Sequence, residues 1–449
     1  MRTFDLEFTK DAAVFDRDQV RSLVDDLDAT DLLVVAHGWN NDVREATDLY
    51  DELLANVDRL LDLRTNPEAP SALRRLDGRT FAVLRLFWPS KRFADEDLIP
   101  GGGAASAEAA NDAALERMLD ELADDPERLG GSGTTPEREA AVAEAKALLP
   151  RLDSDPQARA DYVRILRTLT EQDDDSDDDG TSAFFDDDGA TLFAALEGPV
   201  TAPGPPPAGG ATSLGGGAGE AGSDEGGAAG LRDLLTGASA AARRLANLTT
   251  YLRMKARAGK VGREGLAPVL REVREQHQDV RLHLVGHSFG GRLVTAAASA
   301  LDDDTEHVTL SLLQAAFSHN GLSANFDAGR PGGFRAVLGN RRASGPIVIT
   351  HTKRDRAVGV AYPLASRIGR QNAAGLGDQD DPYGGMGRNG AQRTQEAEGN
   401  ATSLGAVGHD YGFEQGQVYN LLADEFISSH GDVRGLQVAY AILSAAGAD

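Results

Sequence analysis

Residues 280–300, VRLHLVGHSFGGRLVTAAASA, join an apolar run, a glycine-rich turn and a series of small residues. The apolar run 280–286 is typical of a buried strand, and the small residues after the glycines favour a helix that packs closely on a sheet. Between them, residues 286–290, GHSFG, match the G-x-S-x-G pattern of a sharp strand-to-helix turn. The stretch therefore predicts a strand–turn–helix unit with Ser288 at its apex.

Five further apolar runs rich in Val, Ile and Leu lie on both sides of this unit. They are residues 31–36, 80–87, 307–313, 345–350 and 417–422. Short runs dominated by apolar residues are typical of parallel strands covered on both faces. Helical patterns separate several of them, at 43–63, 231–257, 265–277, 291–301 and 433–446. The alternation predicts an α/β fold with a doubly wound, mostly parallel sheet.

An insertion interrupts this alternation between the runs at 80–87 and 280–286. Three amphipathic helical patterns follow one another there without a strand, at 104–125, 135–150 and 156–170. The chain leaves the sheet at the edge where the carboxyl ends of parallel strands bind ligands, so the insertion is a candidate lid. The polar, glycine-rich loop 371–392 is expected to border the same entrance.

The insertion also contains the least foldable part of the chain. Residues 173–188 carry nine aspartates and no basic residue, and residues 198–230 are rich in Gly, Pro and Ala. Charge repulsion and the entropy of glycine predict disorder over 172–230. We expect three segments, of which the first and third form the sheet domain and the second is the insertion. They are residues 1–92, 93–240 and 241–449.

Ser288 has the surroundings that a nucleophilic serine needs. Its hydroxyl must be held clear of the backbone beside a base, and a sharp turn does this only when the residues two positions away are small. Gly286 and Gly290 meet that requirement. The amino end of the following helix would favour negative charge beside Ser288. We expect His287 to face away from the serine and to pack in the interior.

These features resemble the α/β-hydrolase fold family of serine hydrolases, and the resemblance covers roughly residues 25–90 and 240–449. The family places an oxyanion-hole amide in a His-Gly-x turn after an early strand, and residues 37–39, HGW, follow such a run. The resemblance implies that the backbone N–H groups of Trp39 and Phe289 bind the developing oxyanion.

The triad of this family runs in the order serine, acid, histidine. The resemblance implies that Asp355, shortly after the run at 345–350, is the acid, and Asp327 is a second candidate. It implies that His430, between the last apolar run and the C-terminal helix, is the base. His409, in a glycine-rich stretch before that run, is the alternative base.

The resemblance implies a serine hydrolase that cleaves a carboxylic ester through an acyl-enzyme on Ser288. A serine peptidase or an acyltransferase would use the same triad, and a non-catalytic scaffold of this fold is a further alternative. Neither a metal nor an organic cofactor is expected. The sequence contains no dinucleotide fingerprint and no phosphate-binding loop with its lysine.

Composition limits the partners. The 449 residues include 71 acidic and 45 basic side chains, and the net charge of −26 argues against nucleic acid and anionic membranes. Without cysteine, disulfides, thiolate metal sites and cysteine nucleophiles are excluded. No apolar run approaches the ~20 residues of a membrane span, and no signal-peptide pattern opens the chain. We therefore expect a cytoplasmic protein that acts on a small-molecule or acyl-ester substrate; its oligomeric state is left open.

Overall fold

A single parallel sheet forms the centre of the protein. The computed structural model describes residues 1–39, 41–90, 107–170, 172, 178–197, 237–355 and 383–449, and only the backbone of 107–113. In this part of the chain, eight strands are ordered β1-β3-β2-β4-β5-β6-β8-β7, and all neighbours are parallel. The strands are β1 Arg2–Glu7, β2 Asp31–Ala36, β3 Phe81–Phe87, β4 Arg281–His287, β5 Val308–Leu313, β6 Ile347–His351, β7 Ala401–Ser403 and β8 Val418–Leu422.

Helices connect these strands and cover the sheet. The longer helices are Arg17–Asp26, Val43–Leu61, Ala107–Ala123, Pro136–Leu148, Pro156–Thr168, Ala238–Lys260, Ala267–Gln276, Phe289–Ser299 and Leu436–Ala446. The shorter ones are Ser71–Arg74, Ser182–Asp186, Gly189–Ala195, Ala336–Gly339 and Met386–Asn389, with a π-helical turn at Val261–Leu266 and 3₁₀ turns at Leu149–Arg151 and Gln395–Ala397.

The sheet separates two apolar cores, because successive side chains of a strand point to opposite faces. In β2, Leu32 and Val34 enter one core, whereas Leu33 and Val35 enter the other. The first core contains the helix Phe289–Ser299 and the insertion helices, and the second contains Val43–Leu61 and Leu436–Ala446. The prediction of a doubly wound α/β fold is confirmed, and the architecture is compatible with the α/β-hydrolase fold.

All six predicted strands are present, with ends within two residues of the expected positions. Two strands, β1 and β7, are not predicted from the sequence, and they lie at the two edges of the sheet. In β1 only Phe4 and Leu6 are buried, and the three residues of β7 are exposed. An edge strand buries fewer side chains, so neither segment carries the continuous apolar run that identifies the inner strands.

The predicted insertion helices are also present and form a layer over the first core. Ala107–Ala123 and Pro156–Thr168 both contact the long helix Ala238–Lys260. That helix also packs along Phe289–Ser299, so it connects the insertion to the element that follows Ser288. The expected segment boundary at residue 240 falls inside this continuous helix.

The prediction of disorder over 172–230 is wrong for residues 178–197, which include two short helices. Asp179 is buried and forms an ion pair with Lys255 at 2.8 Å. Asp178 is buried beside it, and burial, with the charge of Asp179, raises the pKa of Asp178 to about 7. A distant lysine thus stabilises aspartates whose charges, considered along the sequence alone, only repel one another.

Other parts of the insertion hypothesis lie outside the described residues. These are 93–106, 173–177 and 198–236, which include the start of the helical pattern 231–257, together with 371–382 of the expected entrance loop. Among the described helices, none combines the length and apolar character needed to cross a membrane.

Candidate active site

The turn around Ser288 joins a strand to a helix as its sequence predicts, and its backbone is strained. β4 ends at His287, the helix begins at Phe289, and Ser288 between them has φ 57° and ψ −124°. A non-glycine residue rarely adopts a positive φ, and such strain, of order 1–3 kcal/mol, is concentrated at functional sites. The Ser288 N–H donates to Leu313 O at 3.0 Å, and its carbonyl accepts from Ala316 N at 3.0 Å. Contacts with β5 and the chain after it therefore hold the turn in place.

The two glycines of the motif are required by packing. A Cβ on Gly286 would collide with the backbone of Gly290, and a Cβ on Gly290 would collide with the carbonyl of Ala36. The backbone of the turn thus approaches both its own helix and β2 more closely than any side chain allows.

Residues 37–39 lie beside Ser288, because β2 and β4 are parallel neighbours whose carboxyl ends meet at one edge. A Cβ on Gly38 would be 2.6 Å from the Ser288 Cβ. The rings of Trp39 and Phe289 are 6.0 Å apart. The structure therefore brings together the two residues whose amides were predicted to bind an oxyanion.

The imidazole of His37 fixes this turn from inside the core. Its Nδ1 lies 2.8 Å from Gly38 O and its Nε2 lies 3.4 Å from the backbone N of Trp88, whose ring stacks on it. Burial lowers the pKa of His37 to about 4. A neutral ring with the proton on Nδ1 satisfies both contacts, since Nδ1 donates to the carbonyl and Nε2 accepts from the amide.

His430 and Asp355, which the resemblance implies as base and acid, are joined by a hydrogen bond. His430 Nδ1 donates to Asp355 Oδ2 at 2.8 Å, and the Asp355 carboxylate is fully buried. The two meet because β6 and β8 are parallel neighbours, so the loops that follow them lie together. Burial lowers the pKa of His430, but the charge of Asp355 and its hydrogen bond outweigh that effect and raise it above the ordinary value. With its proton on Nδ1, the neutral ring has an acceptor at Nε2.

His287 connects this pair to the serine turn. Its ring centroid is 4.8 Å from that of His430, and its Nε2 donates to the His430 carbonyl at 2.8 Å. Burial and, secondarily, the neighbouring His430 lower the pKa of His287 to about 3, so the ring is neutral. The residue is buried, in line with the expected packing role, and its specific partner is the proposed base.

The other candidates lie elsewhere. His409 packs on the ring of Tyr411, at a centroid distance of 4.7 Å, and lines a surface pocket of about 280 Å³ that also includes residues of β7. Asp327 is exposed and paired with Arg330. The structure thus joins Asp355 to His430, and not to His409.

Two polar residues near the site escaped the sequence analysis. Gln314 directly follows β5, and its Nε2 lies 3.0 Å from Gly387 O and 3.5 Å from Asp355 Oδ2. Asn41 donates from Nδ2 to Gly38 O at 3.0 Å. Polar residues directly after buried strands were the available signal, because the carboxyl ends of parallel strands form the ligand-binding edge.

The long helix Ala238–Lys260 also contacts the site. The ring of Tyr251 lies 5.3 Å from that of Phe289, and Arg257 donates to Pro89 O at 2.9 Å. The helix that connects the insertion to the rest of the chain therefore packs against the serine turn. In the described ranges, no group of three or more His, Cys, Asp or Glu side chains could hold a metal ion.

No family model matches the chain, and neither a curated protein nor a solved structure matches it.

Proposed function

We propose that the protein is a serine hydrolase of the α/β-hydrolase type that cleaves a carboxylic ester through an acyl-enzyme on Ser288. The observation that carries the proposal is the 2.8 Å hydrogen bond between His430 Nδ1 and the buried carboxylate of Asp355. The ring of His430 also packs against that of His287, the residue before Ser288. A strained serine, an oriented imidazole and a buried carboxylate are the parts that acyl transfer requires.

In the first half-reaction, His430 Nε2 takes the hydroxyl proton of Ser288 while Oγ forms a bond to the ester carbonyl carbon. The negative charge on the carbonyl oxygen is stabilised by the N–H groups of Trp39 and Phe289. When the carbonyl re-forms, the bond to the alcohol oxygen breaks, and that oxygen takes the proton from His430. Asp355 holds the ring and stabilises its cationic form throughout.

In the second half-reaction, His430 takes a proton from water as the water oxygen attacks the acyl carbon. The bond to Ser288 Oγ then breaks, and the serine recovers its proton from His430. A carboxylic acid leaves, and the free enzyme is restored.

Labelling with a fluorophosphonate tests the nucleophile, because this reagent reacts with activated serines. We expect Ser288 to be labelled in the wild-type protein and labelling to be lost in Ser288→Ala. Ser299→Ala is the matched control, since Ser299 lies at the far end of the same helix and its hydroxyl donates to Ala296 O. Absence of label from wild-type Ser288 would contradict the proposal and favour a non-catalytic scaffold.

Substrate class is tested by comparing p-nitrophenyl esters of increasing acyl length with peptide anilides. We expect ester cleavage to dominate. Preferential cleavage of the anilides would instead support the peptidase alternative, and acyl transfer to an added alcohol in preference to water would support an acyltransferase.

A further inference from the structure

The carbonyl of Gly38 is held by two side-chain donors. His37 Nδ1 lies 2.8 Å from this oxygen, and Asn41 Nδ2 lies 3.0 Å from it. The same Asn41 nitrogen is 3.3 Å from Trp39 O. One amide side chain therefore bridges the two carbonyl groups on either side of the Trp39 N–H.

The direction of a peptide carbonyl fixes the direction of the next N–H. The peptide unit is planar and trans, so the Gly38 C=O and the Trp39 N–H point in opposite directions. Gly38 has no side chain that restricts its own backbone, and its neighbour Ser288 leaves no room for one. The orientation of this peptide therefore depends on the groups that bind its oxygen.

Asn41 is itself anchored at a rigid position. Its carbonyl accepts from Ser90 Oγ at 3.1 Å. The next residue, Asp42, caps the helix Val43–Leu61 in a reciprocal capping box with Glu45. The Asn41 side chain is therefore fixed by the start of this helix and has little freedom to shift with the Gly38–Trp39 peptide.

We propose that Asn41 is a positioning residue for the oxyanion site: together with His37, it holds the Gly38–Trp39 peptide so that the Trp39 N–H faces the charge that develops on the substrate. The inference rests on the proposed function. An oxyanion donor acts in the transition state and not in the ground state, so loss of its orientation lowers kcat and leaves KM largely unchanged.

The test compares Asn41→Asp and Asn41→Ala with the wild-type protein. Both remove the Nδ2 donor, and the aspartate keeps the size of the side chain. Asn56→Asp is the matched control, because Asn56 Nδ2 also donates to a backbone carbonyl, that of Arg434, at 2.8 Å. The measurements are kcat and KM for a p-nitrophenyl ester, the rate of fluorophosphonate labelling and the melting temperature.

We expect both Asn41 variants to lose about 10- to 100-fold in kcat, somewhat less than the ~10²–10³ for complete removal of an oxyanion donor. Labelling should slow in parallel, with KM within about twofold of wild type and a melting temperature no lower than that of Asn56→Asp. Wild-type kcat in both variants, or a rise in KM alone, would overturn the inference. Loss of kcat only in proportion to lost folded protein would also overturn it. A wild-type protein that neither labels nor turns over would contradict the proposed function itself, and this positioning role with it.

Discussion

The contact between Gly38 and Ser288 gives the sharpest prediction about the site. Replacing Gly38 by alanine adds one methyl group, which in the present backbone would be 2.6 Å from the Ser288 Cβ and 3.1 Å from His287 Nδ1. Two carbon atoms in favourable contact are about 3.5–4.0 Å apart. The turn and the serine must therefore separate by roughly 1 Å.

The turn at Gly38 is the part that has to move. Ser288 is bonded through its backbone to Leu313 and Ala316, so its position is fixed by β5. A displacement of about 1 Å at a reacting group costs about 10² in rate. Overpacking a close-packed interior costs about 1–3 kcal/mol of unfolding free energy. We expect Gly38→Ala to lose about 100-fold in kcat/KM for an ester. We also expect its free energy of unfolding to fall by about 1–3 kcal/mol.

The matched control is Gly431→Ala. Gly431 adjoins His430, but a Cβ there would have no atom within 4 Å, so activity and stability should change little. The assays are steady-state hydrolysis of a p-nitrophenyl ester and urea unfolding. Wild-type kcat/KM together with wild-type unfolding free energy in Gly38→Ala would show that the close approach of Gly38 to Ser288 is not needed.

Three further predictions concern the histidines. His430→Ala should abolish ester turnover and His409→Ala should largely preserve it; the reverse result would reassign the base. Asp355→Asn should lower kcat by about 10⁴. Asp355 raises the pKa of His430, and His430 must be neutral to act as the base. In Asp355→Asn the acidic limb of the kcat/KM profile should therefore move to lower pH. A move to higher pH would contradict this pairing. Burial holds the pKa of His287 near 3, so the unfolded chain binds a proton that the folded one does not between about pH 6.5 and 3. As the pH falls across that range, the unfolding free energy of the wild type should decrease by up to ~1.4 kcal/mol per pH unit more than that of His287→Asn. Urea unfolding at a series of pH values measures this dependence. The same pH dependence in both proteins would count against a neutral, buried His287.

The inner part of the fold could be predicted from the sequence because each inner strand is buried on both faces. The six inner strands, β2, β3, β4, β5, β6 and β8, therefore appear as short apolar runs. The glycines after β4 also favour a sharp turn at that point. The edge strands could not be identified in this way, since one side of an edge strand has no neighbour to bury it.

In the acidic segment, composition alone does not predict the structure. Asp178 and Asp179 belong to a run that composition alone assigns to a solvated, disordered loop. In the structure, Lys255 of the long helix Ala238–Lys260 and the backbone N–H of Gly333 bind these carboxylates, from positions more than 70 residues away in sequence. Charge counted along the chain could not identify these partners, because the compensating groups come from other elements.

The position of Ser288 at a strand-to-helix turn can be predicted from the amino-acid sequence alone, because that geometry is local and depends on glycines two positions away. The same holds for the His-Gly turn that follows an early strand. Which histidine meets Asp355 depends on long-range packing, since both His409 and His430 follow it in the chain. The parallel pairing of β6 with β8 brings the loop of His430 to Asp355, whereas His409 packs on Tyr411 near β7. The contacts of Asn41 and His287 were decided in the same way, because strand order determines which loops become neighbours at the sheet edge.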